Sequence, residues 1–79
     1  MRMDKYLKVS RLIKRREVAN KACQQGKVLV NGKEVKPSYD VKIGDKIEIK
    51  IGANNLNVVV TSLKEYTKKE DAKELYDII

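Results

Sequence analysis

Apolar side chains along this chain change their spacing twice: helical at the start, strictly alternating in the middle, helical again at the end. Met3, Tyr6 and Leu7 stand at i, i+3 and i+4, the spacing that lines one face of a helix. They predict a first helix of only about two turns, with Asp4 as its N-cap. Arg2, Lys5 and Lys8 are also spaced by three and mark another face. Ser10-Arg11-Leu12-Ile13 reads as a turn, with Leu12 and Ile13 plugging the core. A second helix is expected from Lys14 or Arg15 to Gln25, with Val18, Ala19, Ala22 and Cys23 on its buried side. These side chains are small, so the helix can lie close to its neighbour. Gly26 is the expected residue after the helix end, free to take the left-handed conformation.

From Lys27 the period becomes two. Val28-Leu29-Val30, Asn31-Gly32 and Lys33-Glu34-Val35 form a hairpin pattern with a type I′ turn. Pro37 and Ser38 break the ladder, Tyr39 to Ile43 is extended and irregular, and Gly44-Asp45 is a turn. Lys46 to Ile51 alternates isoleucines with charges, a half-buried strand. Gly52 to Asn55 is read as a turn and Leu56 to Leu63 as a final strand, with Val58 and Val60 on one face. Thr67-Lys68-Lys69-Glu70 has the form of a capping box. Behind it Ala72, Leu75, Tyr76 and Ile79 recur at helical spacing, which predicts an amphipathic helix over 67–79. The pattern thus predicts an α+β domain: two short N-terminal helices on a small, mostly antiparallel sheet, plus a C-terminal helix.

Charge changes the picture. Nine of the eighteen Lys and Arg residues lie within residues 1–27, opposed there only by Asp4 and Glu17. The remainder of the chain is balanced, so the whole net charge of +7 falls on the first third. Such a concentration points to a polyanion as partner. Arg15 and Arg16 stand in the first turn of the second helix, where the helix dipole repels cations. A bound anion reverses that sign, and first-turn N–H groups then join both guanidinium groups on phosphate. The competing reading is a solvated face paired to Glu17 or Asp4. For Arg2 and Arg11 the two readings stand level, since either can pair with Asp4. Lys5, Lys8, Lys14 and Lys21 supply field more than fixed contacts, and Lys33 and Lys36 place further cations near the hairpin tip.

Composition narrows the alternatives. With 79 residues, one cysteine and no histidine, the chain offers no internal disulfide and no metal-ligand set. Cys23 reads as a small buried hydrophobe. Asp4 with Glu17 is rejected as an acid–base pair, because no histidine or second polar cluster supports it. Tyr6 and Tyr39 are core tyrosines first and base-stacking candidates second. No membrane span or secretory signal is read, and the lone cysteine fits the cytoplasm. No catalytic residue and no cofactor are expected.

Four motifs in order carry a resemblance: Arg2-Met3-Asp4; Arg15-Arg16-Glu17-Val18-Ala19; Gly26-Lys27-Val28-Leu29-Val30-Asn31-Gly32; and Val41-Lys42-Ile43-Gly44-Asp45. Together they resemble the S4 RNA-binding domain, the αL motif, over residues 1–51, within a domain drawn as 1–66. Lys14 stands where many such domains have a capping Ser before the Arg-Arg pair. The run Lys8 to Arg16 looks like the small S4 proteins of ribosome-associated quality control, related to the small ribosomal heat-shock protein. That resemblance implies a non-catalytic factor on obstructed large ribosomal subunits that binds large-subunit rRNA and peptidyl-tRNA. It also implies help to an RqcH-like partner that tails stalled chains with alanine, and a monomer off the ribosome. The RNA contacts it implies are Arg2, Lys5, Lys8, Arg11, Lys14, Arg15, Arg16, Lys33 and Lys36. The runner-up is a generic rRNA-binding or assembly protein. An S4 fragment of an RNA-modifying enzyme and a β-grasp sulfur-carrier-like adaptor stay remote. Such carriers end in Gly-Gly, whereas this chain reads Tyr76-Asp77-Ile78-Ile79.

Overall fold

The computed structural model describes residues 1–64 and 74–79. Helix α1 spans Met3–Val9 and helix α2 Arg16–Gln24. Strands follow as β1 (Val28–Val30), β2 (Lys33–Glu34), β3 (Lys46–Ile51), β4 (Asn54–Val60) and β5 (Tyr76–Ile78). They form one five-stranded sheet in the order β2-β1-β3-β4-β5, every neighbouring pair antiparallel.

The alternation read from the sequence sets the sheet's buried face. Val28, Val30, Ile47, Ile49, Val58 and Val60 point inward and meet Met3, Tyr6 and Leu7 of α1 and Ala19 and Cys23 of α2. Register places Val30 opposite Ile47 and Ile47 opposite Val58, so like side chains run across the strands in rows. Leu12 and Ile13 are half-buried against this core, as expected.

Helix α2 ends as its sequence dictates. Lys27 N–H reaches Ala22 O at 2.9 Å and Gly26 N–H reaches Cys23 O at 3.1 Å, the two bonds of a Schellman motif. Gly26 has φ 71, and a Cβ built on it runs into the Glu34 carboxylate. The hairpin turn is type I′, with φ 51 at Asn31 and 84 at Gly32.

Three expectations are corrected. Asp4 is not the N-cap of α1: the helix starts at Met3, Arg2 holds the cap position, and Asp4 lies in the first turn. Strand β4 begins at Asn54 and ends at Val60, because Gly52 with φ 56 lets Gly52-Ala53 alone reverse the chain. Thr61 N–H then leaves the ladder for Leu75 O at 3.0 Å. Finally, Tyr76–Ile78 is a strand, not the end of a helix. The edge of β4 offers N–H and C=O groups that an extended segment satisfies and a helix does not. Val60 faces Tyr76 and Val58 faces Ile78 across that ladder. Leu75 is fully buried, and its carbonyl accepts the Tyr6 hydroxyl at 2.6 Å. Thr67 to Glu70 and Ala72, on which the helix reading also rested, lie outside the described residues.

Candidate nucleic-acid interface

The cationic segments converge on one acid. Asp4 is 2% exposed between α1 and α2. Its Oδ1 accepts Lys5 N–H at 2.8 Å, Arg2 Nε at 3.2 Å and Arg16 Nη2 at 3.5 Å. Its Oδ2 accepts Arg2 Nη2 at 3.3 Å and Asn20 Nδ2 at 3.2 Å. Asn20 in turn accepts from the Gln24 side-chain amide. Burial pushes the carboxyl's pKa up, but the hydrogen bonds from Asn20, Arg2 and Lys5 N–H, with the Arg16 charge, outweigh it and hold it below its ordinary value. Arg2 and Arg16 remain about half-exposed, with side-chain accessibilities of 52% and 47%.

The other arginines are placed differently. Arg15 occupies the N-cap of α2 in extended backbone, and no side chain caps that helix. Arg11 sits in the turn after α1 with φ 60, a left-handed conformation for a residue that carries a Cβ. Both are exposed, and neither guanidinium meets an acceptor among the described residues. The competition between pairing and openness therefore resolves in opposite ways: Arg2 pairs with Asp4, and Arg11 does not. Lys8, Lys14 and Lys21 are exposed, and Lys5 is half-buried on α1. Lys33 lies on β2 beside the hairpin turn. Lys36 precedes Pro37, whose carbonyl takes Asp4 N–H at 3.2 Å, so that segment runs along the start of α1.

Val18, read as buried, is 52% exposed. The small contact stripe of α2 runs through Ala19 and Cys23, and Val18 falls beside it among the cations. Tyr6 is wholly buried with its hydroxyl bonded, which removes it as a stacking platform. Tyr39 is half-buried and its hydroxyl donates to Asp45 Oδ2 at 2.9 Å. Burial, with the Asp4 charge beside it, pushes the Cys23 thiol up to about 11, so it stays protonated and unreactive at neutral pH. Asn20 and Gln24 went unread in the sequence. The signal was there: Arg16, Asn20 and Gln24 recur every four residues, a polar row along one side of α2. No group of three or more acidic, Cys or His residues suited to a metal exists among the described residues. Nor is any described helix long and apolar enough to cross a membrane.

Two cationic helices laid on the inner face of an antiparallel sheet, with the first hairpin beside them, define an S4-type domain. The S4 domain family profile matches residues 1–47. The RQC P-site tRNA stabilizing factor of Streptococcus pneumoniae (strain ATCC BAA-255 / R6) is 52% identical over 79 residues, covering all of this chain and 90% of that protein. The factor of the same name from Bacillus subtilis (strain 168) is 48% identical over 79 residues, covering 100% and 92%. A trimeric structure of Heat Shock Protein 15 from Vibrio cholerae superposes with a TM-score of 0.93 at 30% identity, covering 100% of this chain and 81% of that one. The chain belongs to the S4 domain family, and within it to the family of the RQC P-site tRNA stabilizing factors.

Proposed function

We propose that this protein acts in ribosome-associated quality control as a non-catalytic RNA-binding factor. It binds large-subunit rRNA and peptidyl-tRNA on obstructed large ribosomal subunits and holds the tRNA while an RqcH-like partner tails the stalled chain with alanine. Its place of action is the cytoplasm, and off the ribosome it is a monomer. The observation that carries the reading is a pair of exposed arginines with no acceptor among the described residues, Arg11 in the turn after α1 and Arg15 at the uncapped start of α2. Arg15, Arg16 and the first-turn N–H groups of α2 suit phosphate oxygens. Arg2, Lys5, Lys8, Arg11, Lys14, Lys33 and Lys36 are the further RNA contacts in this reading. The names of the relatives supply the ribosomal setting.

The test is a pull-down of the tagged protein from cells, followed by cryo-EM of the recovered particles. A large subunit that holds peptidyl-tRNA against α1 and α2 is the expected result. Recovery of whole ribosomes or immature particles would transfer the protein to a general rRNA-binding or assembly role.

A further inference from the structure

Asp4 is out of place on charge grounds. A segment that carries nine cations to attract a polyanion gains nothing electrostatically from a carboxylate buried among its helices. Nor does that carboxylate serve as an RNA ligand, since it repels phosphate and both its oxygens are already engaged. What it does is join side chains from two helices. Arg2 gives it the Nε edge of the guanidinium, and Arg16 gives it one Nη2 hydrogen. A guanidinium has five N–H donors in a rigid plane, so each arginine retains Nη1 hydrogens directed away from the carboxylate. Asn20 occupies the remaining side of Oδ2, backed by Gln24, and keeps the acid from turning.

We propose that Asp4 is a positioning residue for RNA binding: it fixes Arg2 and Arg16 side by side with their free donors outward, as a preset clamp for neighbouring phosphates of one strand. This rests on the RNA-binding reading above and adds a role to a residue that does not touch RNA. The physical gain is that two long side chains have surrendered their rotamer freedom before RNA arrives.

The inference separates from simple electrostatics by sign. By charge alone, Asp4→Asn removes a negative charge and tightens RNA binding. If Asp4 positions the arginines, the same change weakens binding about tenfold: the amide nitrogen replaces one accepting oxygen with a donor that faces Arg2 or its neighbours, and the neutral oxygen that remains no longer holds the two guanidinium groups by charge.

The experiment titrates the full chain against a labelled tRNA transcript at low salt, well below the thermal midpoint. It uses wild type, Asp4→Asn, the pair Arg2→Ala with Arg16→Ala, and the triple variant. The expected result is a loss on Asp4→Asn in the wild-type background and no loss, or a slight gain, in the double-alanine background. Unchanged or tighter binding by Asp4→Asn would overturn the proposal. So would an equal loss in both backgrounds, which assigns Asp4 to the fold alone. Should Asp4→Asn not fold, Arg2→Lys with Arg16→Lys keeps every charge but removes the planar fork. A loss of about tenfold there supports the clamp, and unchanged affinity sinks it. Failure of wild type to bind the transcript at low salt is a different result, and it removes the RNA-binding reading itself.

Discussion

Arg11 holds a backbone that disfavours it. A left-handed conformation costs a residue with a Cβ about 1–2 kcal/mol, and at this position glycine would be free of that strain. Its side chain contributes no ion pair among the described residues in return. Arg11→Gly is expected to raise the thermal midpoint by a few degrees, since relief of strain exceeds the added unfolded-state entropy of about 0.5–1 kcal/mol. It should weaken RNA binding at the same time, as read by calorimetric melting beside filter binding. Arg15 and Arg16 look equivalent in the sequence and are not. Arg15→Ala should lower RNA affinity with the midpoint unchanged. Arg16→Ala should lower both, the stability by about 0.5 kcal/mol for a half-exposed ion pair. Asp4 carries a pH dependence whose sign is fixed by its depressed pKa. Its contribution to stability is complete above the unfolded carboxyl value of about 3.9 and is lost as pH falls through the lower folded value. Denaturant melts of wild type and Asp4→Asn should therefore differ at neutral pH and converge in acid. A constant gap down to the lowest pH would contradict the bonded carboxylate.

Elements were legible where their ends are written in local chemistry. Gly26 announced the stop of α2, and Asn31-Gly32 announced the hairpin, because each needs a positive φ that few residues tolerate. The alternation of Lys46 to Ile51 gave a strand with Ile47 and Ile49 inward. Long-range choices were not legible. Leu75, Tyr76 and Ile79 fit a helical spacing, yet Tyr76–Ile78 forms β5 because β4 leaves an edge open sixteen or more positions earlier in the chain. Asp4 before a short helix reads as a cap, and only the packing of α2 turns it into the shared acceptor of Arg2, Arg16 and Asn20. The positions of the cations were thus evident, while the device that orders two of them was not. At this scale Gly26→Ala should destabilise the fold by about 1–2 kcal/mol, measured by urea unfolding, because a Cβ is strained at φ 71; the exposed Glu34 side chain that it meets can swing aside and adds little. Tyr6→Phe should cost about 1 kcal/mol. The loss is moderate because Leu75 O also receives Thr61 and Ser62 N–H groups at 3.0 and 3.3 Å.

The whole molecule divides into a cationic pair of helices and a charge-balanced remainder. Its affinity for RNA should therefore fall steeply with salt, and each phosphate contact removed should flatten the logarithmic slope by about 0.7–0.9. Arg15→Ala is the cleanest case, since no described residue pairs with it. A titration in which that slope stays the same would place Arg15 off the interface. Because the helices lie on one side of the sheet, the molecule also has an electrical front and back. A negatively charged particle turns such a body in its field before they touch, so encounters begin in the productive orientation. The signature belongs to kinetics: added salt should slow capture far more than it hastens escape.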